Sequence, residues 1–126
     1  EEWKVDACRQ IAEAGADLIL GCHPHVLQRS EIIQRADGST AIVVYSLGNF
    51  LFGGGRSEEN RTAIVRLHLT LTEGAVDGHR LEFIPCYVYA TKDHSSPECW
   101  IPKPMEEGEA RDKVLAFLRG ETDSPV

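Results

Sequence analysis

The cleanest hydrophobic alternation in the chain lies in its middle. Val65, Leu67, Leu69 and Leu71 alternate with Arg66, His68, Thr70 and Thr72, the period-two pattern of a strand with one apolar face. Glu73-Gly74 turns that strand into a second one over about residues 75–89. Asp77-Gly78 interrupts the second strand as a bulge, and Pro85 demotes it to an edge or bulged position. Upstream, Trp3, Ala7, Ile11 and Ala14 fall at helical spacing, which predicts a helix over 2–14 with a narrow apolar stripe, stopped by Gly15. The apolar run 16–20 then reads as a short buried strand ending at Gly21. Residues 31–35 and 41–46 flank Ala36-Asp37-Gly38-Ser39-Thr40, a strand–turn–strand signal built on Asp-Gly. Residues 91–104 hold Pro97, Pro102 and Pro104 and read as an irregular crossing segment. A last helix over 107–119 carries Ala110, Val114, Phe117 and Leu118 on one face, with Gly120 as its stop.

Helices alternating with strands predict an α/β domain, with no repeat and no internal boundary. At 126 residues, 42% hydrophobic and 26% charged, the chain can build one real core. No apolar run reaches the ~20 residues of a membrane-spanning helix. The net charge of −7 and the scattered Lys and Arg residues exclude the basic footprint that nucleic-acid binding requires. Cys8, Cys22, Cys86 and Cys99 are widely spaced with no C-x-x-C pair, which excludes a zinc ribbon. One disulfide and four free thiols are both compatible with that spacing. The chain opens on Glu1, as a piece of a longer polypeptide would.

The chemistry concentrates at Gly21-Cys22-His23-Pro24-His25-Val26. Ligand sites in α/β sheets gather at the carboxyl ends of strands, where the 16–20 strand delivers this segment. Neutral imidazole is the commonest protein metal ligand. Pro24 pushes His23 toward extended backbone, and alternate side chains of an extended segment share a face. The two Cβ atoms would then lie roughly 6–7 Å apart, suited to one metal held from two sides or to two neighbouring metals. The plainer alternative is a His-Pro-His turn with solvated rings. A catalytic zinc wants three protein ligands and a structural one four. The remaining histidines offer little: His68 sits on the polar face of a strand, His79 in the hairpin and His94 in a loop. No H-E-x-x-H, G-x-S-x-G, Walker A or G-x-G-x-x-G pattern occurs. Ser46-Leu47-Gly48-Asn49-Phe50 ends an apolar strand and presents an amide at its carboxyl end; a glycine turn with Asn49 bonding its own backbone is the simpler reading.

Two blocks together carry a family resemblance: Ala14-Gly15-Ala16-Asp17-Leu18-Ile19-Leu20-Gly21-Cys22-His23-Pro24-His25-Val26-Leu27-Gln28 and, about 20 residues on, Tyr45-Ser46-Leu47-Gly48-Asn49-Phe50-Leu51-Phe52. They closely resemble the CapA capsule-synthesis family of poly-γ-glutamate biosynthesis, within the calcineurin-like metallophosphoesterase superfamily. Phe83-Ile84-Pro85 is similar to the family's tail, so the resemblance covers about residues 1–90. It implies the C-terminal part of a metallophosphoesterase-like α/β sandwich: a mixed sheet with a long antiparallel hairpin and flanking helices. By the same resemblance, His23 and His25 match the superfamily's late H-x-H metal ligands. Asn49, with Ser46 beside it, is then a substrate-pocket residue. Family members usually carry His where this chain has Cys22. The family's earlier ligands would lie before residue 1, since Glu1-Glu2-Trp3 resembles the segment following its His-Trp-Gly motif.

The resemblance thus implies a divalent metal (manganese, iron or zinc) in a longer parent and none held tightly by these residues alone. It implies that the missing N-terminal part of the same fold is a partner, and that the parent sits at the bacterial cell envelope or extracellular face. An exposed sheet edge would favour a homo-oligomer. Two functions fit: a metal-dependent hydrolase or ligase-associated factor acting on a phosphate or polyglutamyl substrate, or a non-catalytic assembly or export component of a surface-polymer system.

Overall fold

The computed structural model describes residues 2–89, 95 and 97–126. Along the chain, α1 (Glu2–Glu13), β1 (Leu18–Leu20), β2 (Leu27–Gln34) and β3 (Thr40–Leu47) come first. A 3-10 turn at Ser57–Asn60 leads to β4 (Arg61–Thr72), β5 (Ala75–Val88), β6 (Pro102–Pro104) and α2 (Glu109–Leu118). Among the described residues the strands form two three-stranded sheets, one mixed in the order β1-β3-β2 and one antiparallel in the order β4-β5-β6. The mixed sheet and the long antiparallel hairpin are both present, and the hairpin seeds a sheet of its own.

The first sheet is where the site is built. β1 runs parallel to β3 with Leu18 opposite Ile42 and Leu20 opposite Val44. β2 pairs antiparallel to β3 from Leu27↔Leu47 to Gln34↔Thr40. Asp37 closes that hairpin: its carboxylate accepts from the Ser39 N–H and hydroxyl, which holds its pKa below the ordinary value. α1 packs on this sheet through Cys8 and Ala12, with Val5 alongside, against Ile33, Ala41, Val43 and Tyr45. That corrects the expected stripe. Trp3 is 74% exposed and Ile11 49%, because the small side chains of Cys8 and Ala12 let the helix backbone approach the sheet and turn the larger ones outward. Burial raises the Cys8 thiol pKa. It does the same for the Tyr45 phenol, whose hydroxyl also donates to Glu31.

Arg35 ties the layers together. Its guanidinium donates to the carbonyls of Ala12 (2.8 Å) and Ala16 (2.6 Å), to Asp17 Oδ1 (2.7 Å) and to Ser39 Oγ (2.9 Å). One nearly buried side chain thus joins the end of α1, the approach to β1 and the β2–β3 hairpin. Arg35→Ala is expected to cost about 2–3 kcal/mol, the loss of several charge-assisted bonds, two of them to part-buried carbonyls. Arg35→Lys should recover little, since an ammonium cannot span the same fork. Urea-unfolding midpoints check both, and a loss near zero for Arg35→Ala would contradict this role.

The second sheet follows its pattern closely. β4 and β5 pair from Arg61↔Tyr87 to Thr72↔Ala75, and the register slips between Thr70 and Leu71, leaving Asp77 as the extra residue. The Asp-Gly bulge is therefore where the sequence predicts it. Pro85 does not make β5 an edge: the strand is central, with β6 pairing Cys86–Val88. The proline is tolerated because that ladder begins one residue later, and its carbonyl accepts from the Met105 N–H. The segment expected to be irregular instead supplies β6, three residues long with a proline at each end, a composition suited to an outer strand. α2 buries Val114 and Leu118 against Leu27 and Ala63, while Ala110 of the expected face is exposed. Cys8, Cys22 and Cys86 carry free thiols, and no helix among the described residues is long and apolar enough to cross a membrane.

Candidate functional site: the His23–His25 turn

β1 ends at Leu20, and the Gly21 N–H continues its ladder by donating to the Val44 carbonyl at 2.7 Å. A side chain at Gly21 would collide with the Tyr45 carbonyl, so glycine is what lets the chain leave the sheet here. The next residues turn sharply. His23 and His25 both lie in the left-handed region, with φ of 57° and 66°, which corrects the extended geometry expected before Pro24. Histidine tolerates this region better than most residues, though each such residue costs on the order of 1–3 kcal/mol. The expected juxtaposition is reached by this other backbone route: the two rings stand 5.5 Å apart, centroid to centroid.

The second block of sequence meets the first at this point. Gly48 has φ of 71°, and its backbone packs so closely on the Arg61 carbonyl and the Val26–Leu27 backbone that a Cβ would clash. This seats Asn49, 3% exposed, against His25. Asn49 Nδ2 donates to the Glu59 carbonyl at 3.0 Å, and its Oδ1 lies 2.8 Å from His25 Nδ1. The Glu59 carbonyl can only accept, so it sets the orientation of the amide. His25 Nδ1 must then carry the hydrogen, which leaves Nε2 with a free lone pair. Hydrogen bonding of this kind to the second ring nitrogen is what orients metal-ligating histidines.

Further contacts stiffen the arrangement. Phe52 packs edge-on against His25 with centroids 5.1 Å apart. The Arg56 guanidinium beside Glu59 holds that carboxyl below its ordinary pKa and anchors the 3-10 turn whose carbonyl Asn49 reads. Ser46 is fully buried; its Oγ accepts from the Gly48 N–H at 3.2 Å and supports the turn. Asn49 therefore bonds two distant partners rather than its own backbone, as the simpler reading had it. Phe52, Arg56 and Glu59 escaped sequence reasoning. Only the aromatic three residues after Asn49 carried any signal.

The other candidates lie apart. Cys22 is exposed beside the pair. His68 Nε2 lies 2.9 Å from Glu82 on the hairpin surface, and that contact holds the Glu82 carboxyl pKa down. Asp77-Gly78-His79 has Asp-x-His spacing, but it lines a cavity of about 440 Å³ with Asp17, Leu67 and Leu69. His94 falls outside the described residues. Among the described residues, no three His, Cys, Asp or Glu side chains come together as a metal-binding group. The donors present are two imidazoles, one with its lone pair fixed in orientation. They fit one arm of a divalent-metal site.

The segment that builds this turn also matches known proteins in sequence. A family model described as bacterial capsule synthesis protein PGA_cap matches residues 1–54, which hold both histidines and Asn49. The capsule biosynthesis protein CapA of Bacillus anthracis is 41% identical over 114 residues, covering 90% of this chain and 23% of that protein. The PGA biosynthesis protein CapA of Bacillus subtilis (strain 168) is 41% identical over 61 residues, covering 48% of this chain and 15% of that protein. No solved structure matches. The class of protein that the chain resembles is thus that of bacterial capsule-synthesis proteins. Within it, the chain is similar to the PGA_cap/CapA family, and it spans under a quarter of the length of the relatives it matches.

Proposed function

We propose that this chain supplies the two-histidine arm of a divalent-metal site in a CapA-like protein of capsule or poly-γ-glutamate biosynthesis. One observation carries the reading: Asn49, its amide set by the Glu59 carbonyl, holds His25 with Nε2 free and His23 alongside. The remaining ligands come from polypeptide outside residues 1–126. A divalent metal in such a site supplies Lewis-acid polarisation of a phosphoryl or carbonyl oxygen. This chain's part is to orient the imidazoles, with Asn49 and Ser46 beside the substrate pocket, Asn49 fixing a ring and Ser46 shaping the turn.

Two ligands bind a metal weakly. Titrated with Zn²⁺ or Mn²⁺, the 126-residue chain is expected to show no submicromolar isotherm. In a longer polypeptide carrying this chain, His23→Ala or His25→Ala should reduce bound metal about tenfold or more. Metal content unchanged by either substitution would overturn the reading, as would a submicromolar isotherm of the short chain that His23→Ala abolishes.

A second reading, an assembly component of a surface-polymer system, draws support from the unpaired outer edge of β1 among the described residues and from exposed Leu69 and Leu71 on the hairpin. Edges and faces of this kind favour association. Sedimentation at high protein concentration should then show species heavier than the 14.0 kDa monomer. Monomer alone would count against it.

A further inference from the structure

Arg61 opens β4 directly across from Tyr87, and its guanidinium carbon sits 4.7 Å above the centre of the tyrosine ring. Stacking satisfies the face of a guanidinium and helps balance its charge. It does nothing for the N–H bonds, which lie in the guanidinium plane. Among the described residues, Arg61 Nε and Nη1 are both buried and have no hydrogen-bond partner. A buried donor left unpaired typically costs about 1–3 kcal/mol, and more when it is charged. Natural structures carry few such groups, and each calls for an explanation.

Arg61 also lines a cavity of about 340 Å³, together with Glu109, Ala110, Lys113, Pro125 and Val126. Apart from Glu109, the other walls are cationic or uncharged side chains. Lys113 brings a second cation, whose ion pair with Glu109 at 3.5 Å joins two largely exposed side chains and is correspondingly weak. The first turn of α2 forms part of the lining, and Gly108 at its N-cap offers no side-chain acceptor. The free N–H groups and positive dipole end of a helix favour anions at such a place. In a chain of net charge −7, two cations line this cavity beside one carboxylate side chain, Glu109, with Asp112 also in the first turn of α2.

We infer that this cavity is an oxyanion-binding site, with Arg61 as its anchor and Lys113 as its second cation. The ligand group is a carboxylate or a phosphate, either of which accepts hydrogen bonds from both cations. Tyr87 holds the guanidinium plane in place before the ligand arrives, so little ordering remains to oppose binding. Glu109 is the internal competitor, held off by its exposure. The site is separate from the histidine pair and stands without any metal. It begins at the same strand end, since the Arg61 carbonyl is the surface on which Gly48 packs.

The test follows the Arg61 Nε–H and Ala110 amide resonances of the intact protein by NMR. Sodium acetate and sodium phosphate are titrated separately at ionic strength held constant with sodium chloride. The expected result is a saturable shift of both resonances with at least one anion; the anion that acts tells a carboxylate ligand from a phosphate. Arg61→Gln should remove the Ala110 shift. Lys113→Gln, on the exposed side of α2, should weaken binding about threefold or more and serves if Arg61→Gln does not fold. Glu109→Gln should tighten it. Silence from both anions up to roughly 20 mM, well beyond the millimolar range expected of a few charge-assisted contacts, would overturn the inference. So would an Ala110 shift that survives Arg61→Gln, or binding indifferent to Lys113→Gln.

Discussion

Gly21→Ala is expected to destabilise the protein by roughly 3 kcal/mol, at the upper end of what overpacking costs, and to loosen the histidine turn with it. The added methyl has nowhere to go. It would meet the carbonyl of Tyr45, and behind it the carbonyl carbon of Tyr45 and the carbonyl oxygen of Val44. These are backbone atoms of the central strand of the mixed sheet, unable to yield as a side chain would. Relief requires β1 to draw away from β3, which breaks the 2.7 Å bond from the Gly21 N–H to Val44 and the parallel pairing of a strand only three residues long. Typical domains hold only about 5–15 kcal/mol in reserve, so the loss should show as a clear fall in the urea midpoint. Gly55→Ala is the control, because no atom lies near its would-be Cβ. Equal midpoints for the two variants would refute the close-approach argument.

The second large effect belongs to Asn49. Asn49→Leu removes the acceptor for His25 Nδ1 and the donor to the Glu59 carbonyl in one step. Leaving the part-buried Glu59 carbonyl unpaired should cost about 1 kcal/mol or more. The functional loss is expected to be greater in proportion: metal affinity of a longer polypeptide carrying the chain should fall about 10–100-fold, the usual consequence of losing a hydrogen bond that orients a ligating histidine. Asn49→Asp separates the two roles. A carboxylate still accepts from His25 but cannot donate to Glu59, so it should lose stability and keep much of the affinity. If Asn49→Leu left metal binding unchanged, the amide would be a packing residue only.

Much of the fold was legible because its signals are local. Strict alternation over 65–72, the Glu73-Gly74 turn and the Asp77-Gly78 bulge each depend on a few neighbouring residues, and the structure reproduces them. Failures came where tertiary context decides. In α1, hydrophobic size pointed to Trp3 and Ile11, but close approach to the sheet selected Cys8 and Ala12. Pro85 was misjudged because one strand cannot announce where its neighbour's ladder starts. At the site, the H-x-H spacing predicts two rings side by side, as they are found, while the left-handed backbone that joins them overrides the preference Pro24 imposes. The partner of His25 lies 24 residues away, at a separation that spacing rules do not read. Arg35, which binds three elements together, is an ordinary arginine in the sequence.

The central claim is that Asn49 presets His25 as a metal-facing ligand. Long-range ¹H–¹⁵N NMR of the imidazole rings at pH 8 tests it most directly, since it reports which nitrogen bears the hydrogen. The account predicts the Nδ1–H form for His25 in the unsubstituted chain, with Nε2 bare, and loss of that preference in Asn49→Leu. A His25 ring protonated on Nε2 in the unsubstituted chain would contradict it.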